Sequence, residues 1–220
     1  LRWRGEDGEL NSPADFIPLA EETGLIIPLG KYVLQQACFD AKSLIDQGAN
    51  IIVSVNISAV QFREESFLQM VQESLQVSGL KSCFLELEIT EGVLAKNIQR
   101  TQQLLSSLRA LGVRIALDDF GTGYSSLTYL KSFPLDVLKI DQGFVRDMLI
   151  DKSDAVIVDA IVRISQAFEL ELVAEGVETL EQVSVLQSLG CRIMQGYLYS
   201  KPIAFEEFVA LLHSGKFGFK

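Results

Sequence analysis

Histidine occurs once in this chain, as His213. A Ser-His-Asp or Cys-His system needs an imidazole beside its nucleophile, and a lone histidine in the C-terminal helical pattern Phe205–Ser214 reads as a surface residue instead. Histidine-rich zinc and non-haem iron sites are excluded on the same ground. Cysteine is scarce too. Cys38, Cys83 and Cys191 are odd in number and share no metal-type spacing, so they read as reduced, mostly buried thiols of a cytosolic domain. Positive charge is short: 19 Lys and Arg stand against 29 Asp and Glu, a formal net charge of −10. That balance disfavours nucleic acid and acidic membrane surfaces. A small phosphorylated ligand stays open if bound cations reverse the local sign. No apolar run approaches the ~20 residues of a membrane-spanning helix. With no signal peptide visible either, the expected location is the cytoplasm, without direct membrane contact by this domain.

What the chain has in quantity is apolar residues, 48% of 220 against 22% charged, which excludes global disorder and suits one large α/β domain. No linker, low-complexity segment or composition shift divides it, so residues 1–220 are expected to form a single domain. The abrupt start at Leu1-Arg2-Trp3 reads as the inside of an element. An N-terminally truncated domain from a larger multidomain protein is therefore expected.

Six apolar stretches read as strands, and each closes on a polar or charged residue. They are Ile51–Ile57 with Asn56, Phe84–Thr90 with Glu88, Val113–Asp119 with Asp118 and Asp119, Asp136–Asp141 with Lys139, Glu171–Gly176 with Glu175, and Arg192–Gly196 with Gln195. Successive polar residues are 32, 30, 21, 36 and 20 positions apart. Parallel strands need a crossover of a dozen or more residues, usually a helix, and each gap holds one. The helical patterns are Phe67–Val77, Gln99–Leu111, Ser125–Leu130, Ala155–Phe168, Leu180–Leu189 and Phe205–Leu212. Two further helices precede the first strand, one from Ser12-Pro13 to Gly24 and one from Pro28 to Gln47. Polar residues recurring at the C-terminal ends of barrel strands read as an active site.

Glu88, Asp118, Asp119 and Glu175 in one partly dehydrated cup would repel each other. Some must stay protonated, or cations must neutralise them. With oxygen ligands alone, hard divalent ions are expected: magnesium, manganese or calcium. Tandem Asp118-Asp119 suits two ions, the arrangement used for phosphate-ester hydrolysis. Lys139 would orient water or neutralise developing charge. Glu175 would ligate an ion or take a proton, and Gln195 would position a water or a ligand group. Magnesium-assisted proton abstraction on a barrel stays open as a different chemistry, although the tandem aspartates and the single strand-end lysine favour phosphate hydrolysis.

The segments Asp15-Phe16-Ile17-Pro18-Leu19-Ala20-Glu21, Val55-Asn56-Ile57-Ser58, Glu88-Ile89-Thr90-Glu91, Asp118-Asp119-Phe120-Gly121-Thr122-Gly123, Leu138-Lys139-Ile140-Asp141, Ala174-Glu175-Gly176-Val177-Glu178 and Gln195-Gly196-Tyr197 together resemble the EAL domain, the bacterial cyclic-di-GMP phosphodiesterase. The resemblance implies a modified (β/α)₈ TIM-like barrel with one antiparallel strand, and hydrolysis of cyclic di-GMP to linear pGpG with two magnesium or manganese ions, calcium being inhibitory. It implies metal ligation by Asn56, Glu88, Asp118, Asp119 and Glu175, with Lys139 beside the attacking water. Arg2, Gln195 and Pro202 would bind substrate, and Glu91 would anchor the loop Asp119–Ser126. It also implies a homodimer and an upstream sensory or GGDEF-type domain. One further metal-binding glutamate belongs three residues ahead of Leu1, so a catalytically inactive cyclic-di-GMP receptor is the alternative.

Overall fold

The computed structural model describes residues 3–5, 10–94, 97–122 and 127–214. Two short strands, β1 (Trp3–Arg4) and β2 (Leu10–Asn11), pair antiparallel in a sheet of their own. Ser12 then opens α1 (Pro13–Thr23) as its side chain dictates: Oγ accepts the Ala14 N–H at 3.3 Å, and Pro13 sits where its missing N–H costs nothing. Gly24, at φ 74°, closes that helix. The order continues with α2 (Ile26–Asp46), β3 (Val53–Asn56), α3 (Ala59–Arg63), α4 (Phe67–Ser78), a 3₁₀ turn (Ser82–Phe84), β4 (Leu85–Thr90), α5 (Glu91–Leu94), α6 (Ile98–Ala110) and β5 (Arg114–Phe120). After these come α7 (Leu127–Ser132), β6 (Val137–Ile140), α8 (Gln142–Asp147), α9 (Lys152–Ala167), β7 (Glu171–Ala174), α10 (Leu180–Leu189), β8 (Ile193–Met194) and α11 (Phe205–His213). Every expected strand is present, within three residues of its expected start and end. No helix among the described residues is long and apolar enough to cross a membrane.

The chain gathers into two compact units, Leu1–Leu87 and Glu88–Lys220, with the division inside β4. In the first unit Leu34, Cys38, Ala41 and Leu44 form the inner stripe of α2, which packs on α4, where Phe67 and Val71 are fully buried. The i, i+3/i+4 spacing of those residues makes one helix face apolar. Cys38 and Cys191 are buried as expected, whereas Cys83 is exposed, within the 3₁₀ turn. Burial pushes the Cys38 thiol up to about 11, so it is inert.

In the second unit the strands follow in the order β4-β5-β6-β7-β8. β6 pairs parallel with β5 and with β7, and β7 pairs parallel with β8. Ile115, Ala116 and Leu117 in β5 and Val137, Leu138 and Ile140 in β6 are all inaccessible to solvent. Strands buried on both faces read as continuous apolar runs, which is why a polar residue inside one is conspicuous. Parallel pairing then sets the C-terminal ends of β5 to β8 along one edge of the sheet.

Candidate active site

Lys139, in β6, is 3% exposed. Its Nζ lies 2.8 Å from Oε1 of Glu88, 2.5 Å from Oε1 of Glu175 and 3.4 Å from Oδ1 of Asp118. An ammonium held in a dry sheet needs partners of opposite charge, and β4, β5 and the end of β7 each deliver one. Burial alone would favour the neutral amine, but the Glu88, Glu175 and Asp118 carboxylates outweigh it and hold Lys139 protonated well above its ordinary range. It is therefore a donor and a fixed positive charge, not a base at neutral pH. Gln195, one residue past β8, donates from Nε2 to the same Glu175 Oε1 at 2.5 Å.

Asp118 and Asp119 are adjacent, and in a regular strand adjacent side chains point to opposite faces. Here they do not. The β5–β6 register runs Leu117↔Leu138 and then Phe120↔Ile140, so β5 carries one extra residue where the two aspartates lie. This is a β-bulge. Asp119 adopts the left-handed conformation, φ 55°, which aspartate tolerates better than most residues. Its N–H donates to Oδ1 of Asp118 at 3.0 Å. The sequence pattern ends the strand at Asp119. The structure continues it to Phe120 and uses the bulge to turn both carboxylates one way.

Oxygens of Asp118, Asp119 and Glu175 come within 4.8 Å of one another. Crowding shows in their titration. Burial, the Asp118 charge, the Asp141 charge and a hydrogen bond shared with Asp141 lift Asp119 to about 6. Burial lifts Glu175 to about 7, with Asp118 and Glu88 adding to the rise and Lys139 opposing it. Among the described residues these acids and Glu88, four carboxylates, crowd the Lys139 ammonium. An all-oxygen donor set short of positive charge fits a hard divalent cation, so the residues present are suited to the metal chemistry expected of them.

Glu91 opens α5, and its Oε1 accepts the Gly121 N–H at 2.9 Å, which ties down the turn that follows Asp119. The rest of that loop, residues 123–126, lies outside the described residues, as does Arg2. Asn56 closes β3 in the first unit with an exposed side chain. Pro202 lines a cavity of about 850 Å³ that runs from Glu175 and Gln195 past Tyr199 to Phe208 and Leu211 on α11. Glu175, Glu178 and Gln195 give it a polar edge, and Phe208, Leu211 and Leu212 an apolar wall, the usual make-up of a small-molecule site. His213 is exposed, as expected. Sequence reasoning passes over Asp141 as a site residue. It caps α8, accepting the Gly143 N–H at 2.8 Å, and its carboxyl meets that of Asp119. Its position two residues after Lys139 is the available signal.

The family model for the EAL domain matches residues 1–202. This chain belongs to the EAL domain family. It is 45% identical over 213 residues to the cyclic di-GMP phosphodiesterase NbdA of Pseudomonas aeruginosa, covering 95% of this chain and 27% of that protein. It is 39% identical over 209 residues to the cyclic di-GMP phosphodiesterase PdeR of Escherichia coli, covering 94% of this chain and 32% of that one. The EAL chain thus spans about a quarter to a third of the length of these curated relatives. Among solved structures, one described as the PaMucR phosphodiesterase in a c-di-GMP complex superposes with a TM-score of 0.92 at 41% identity, over 94% of this chain and 84% of that one. The EAL fold class is α/β, a TIM-like barrel, as the family resemblance implied.

Proposed function

We propose that this EAL domain hydrolyses cyclic di-GMP, opening one phosphodiester to give linear pGpG. The observation that carries the reading is the buried cluster in which Lys139 joins Glu88, Asp118 and Glu175 with Asp119 alongside. It is supported by relatives named cyclic di-GMP phosphodiesterases and by a solved relative in complex with c-di-GMP. In this reading Asn56, Glu88, Asp118, Asp119 and Glu175 hold two divalent cations, magnesium or manganese. Those ions, when bound, supply Lewis-acid stabilisation of phosphoryl charge and a more acidic water.

The protein's own groups do the rest. Lys139, fixed as a cation, faces the negative charge that develops on the phosphoryl oxygens. Glu175, poised near neutrality, takes a proton from the attacking water, and Gln195 holds its orientation. The cavity bounded by Pro202 and Tyr199 receives the nucleotide, Arg2 grips phosphate, and Glu91 keeps the turn after Asp119 in place. In this reading residues 1–220 are one catalytic domain, cytoplasmic and homodimeric, serving an upstream sensory or GGDEF-type domain.

The test incubates this chain, and the chain extended by any residues its gene encodes upstream, with cyclic di-GMP and manganese, and follows pGpG by chromatography. Linear product that disappears in Asp118→Asn supports the assignment. Tight binding by folded protein with no product at high enzyme overturns it in favour of a receptor.

A further inference from the structure

Gln182, in the first turn of α10, is 4% exposed, and its whole amide is engaged. Its N–H donates to Thr179 Oγ1 at 3.2 Å and its Oε1 accepts the Thr179 N–H at 3.0 Å, the reciprocal pair that caps a helix. A cap needs no more than that. Yet Oε1 also accepts the Glu178 N–H at 2.7 Å, and Nε2 donates to the Val145 carbonyl on α8 at 3.1 Å. These two extra bonds tie together the segments that carry opposite sides of the candidate metal site.

On one side is the turn from Glu175 to Thr179. Gly176 in it is left-handed, φ 66°, and a Cβ there would lie 2.6 Å from Cβ of Gln142, the first residue of α8. The Val177 N–H donates to the Gln195 carbonyl at 3.0 Å. The turn is thus pressed between α8 and the segment after β8. On the other side, α8 is capped by Asp141, whose carboxyl lies close enough to that of Asp119 to raise its proton affinity. A continuous path runs from Glu175 through its turn to Gln182, across to Val145, along α8 to Asp141, and on to Asp119.

We propose that Gln182 is a positioning residue that sets the approach of Glu175 to Asp119, and with it the affinity of the site for a divalent cation. The proposal deepens the phosphodiesterase reading and rests on it for the identity of the ion. Groups that orient ligands from behind are worth about 10–100-fold in metal affinity.

The experiment compares Gln182→Met, Gln182→Glu and Thr179→Val with the parent chain. Manganese binding is read by electron paramagnetic resonance of the free ion, melting temperature by circular dichroism, and turnover with cyclic di-GMP. The carboxylate introduced by Gln182→Glu keeps both acceptor bonds but loses the donor to Val145. Both Gln182 variants should weaken the manganese midpoint about tenfold and lower kcat with KM little changed. Thr179→Val breaks the helix cap alone. It should lower the melting temperature yet leave the midpoint within about twofold, because a cap stabilises its own helix. A Gln182→Glu midpoint equal to that of the parent, or a Thr179→Val midpoint shifted as far as the Gln182 variants, overturns the proposal. Should Gln182→Met not fold, the Gln182→Glu and Thr179→Val pair decides. A parent chain that binds manganese without turnover refutes the phosphodiesterase reading and leaves the clamp standing. One that binds no manganese refutes both.

Discussion

Replacing Lys139 with methionine keeps the length and apolar stem of the side chain and removes the ammonium that Glu88, Asp118 and Glu175 share. Breaking a buried charge network by deleting one partner costs about 3–5 kcal/mol, because the remaining charges are left dry and uncompensated. For a chain of 220 residues each kcal/mol lowers the melting temperature by about 2–4 °C, so the metal-free variant should melt roughly 6–20 °C below the parent at pH 8. The penalty must depend on pH. Glu175 titrates near 7 even with the lysine present, and its folded value rises further without it. Below that value a proton replaces the missing ammonium. The Lys139 contribution is therefore full above the variant's Glu175 value, which lies above 7, and fades as pH falls through that value towards 7. Saturating manganese at pH 8 should restore part of the loss, since a divalent ion supplies the same charge. Thermal melts at pH 5 and 8, with and without manganese, check this. A deficit equal at the two pH values would refute the electrostatic account and leave only lost packing.

Metal affinity should itself follow pH. Asp119 near 6 and Glu175 near 7 must give up protons to bind a cation, so the manganese midpoint should tighten from pH 5.5 to 8, approaching about tenfold per pH unit for each proton displaced; a flat profile contradicts it. In the metal-free chain the sign for stability is opposite. Both acids hold their protons more tightly folded than unfolded, so the stability they contribute is present below about 4 and lost as pH rises through 6 and 7, which denaturant melts across that range will read. Gly176→Ala places a methyl 2.6 Å from Gln142 Cβ at a left-handed position. Strain of that kind costs about 1–3 kcal/mol, and turnover should fall with it; unchanged stability and rate would show that the turn relaxes freely.

The strands with their closing residues could be read along the chain because a parallel sheet buries both faces of each strand. Lys139 between Leu138 and Ile140, or Glu88 between Leu87 and Ile89, stands out against such a background. The long helices were readable by period, and Ser12 and Gly24 as their punctuation. The short helices α3, α5 and α8 were not, since one or two turns carry no periodic signal. Their starts were nevertheless written in Ser58, which with Gln61 forms a capping box, and in Asp141. β7 and β8 stop one residue before Glu175 and Gln195, each of which precedes a positive-φ glycine. The strand patterns carry both residues inside.

The order and chemical type of the residues determined that oxygen donors and one lysine would gather at strand ends, and that nucleophiles relying on histidine were excluded. Neither order nor type determines distance. Only the folded chain decided that three acids close on one ammonium, that a bulge turns Asp118 and Asp119 the same way, and that Gln182 reaches across to α8. The reason is physical. Charge coupling and proton affinity depend on separation and on exclusion of water, and both are set by how segments distant in sequence pack.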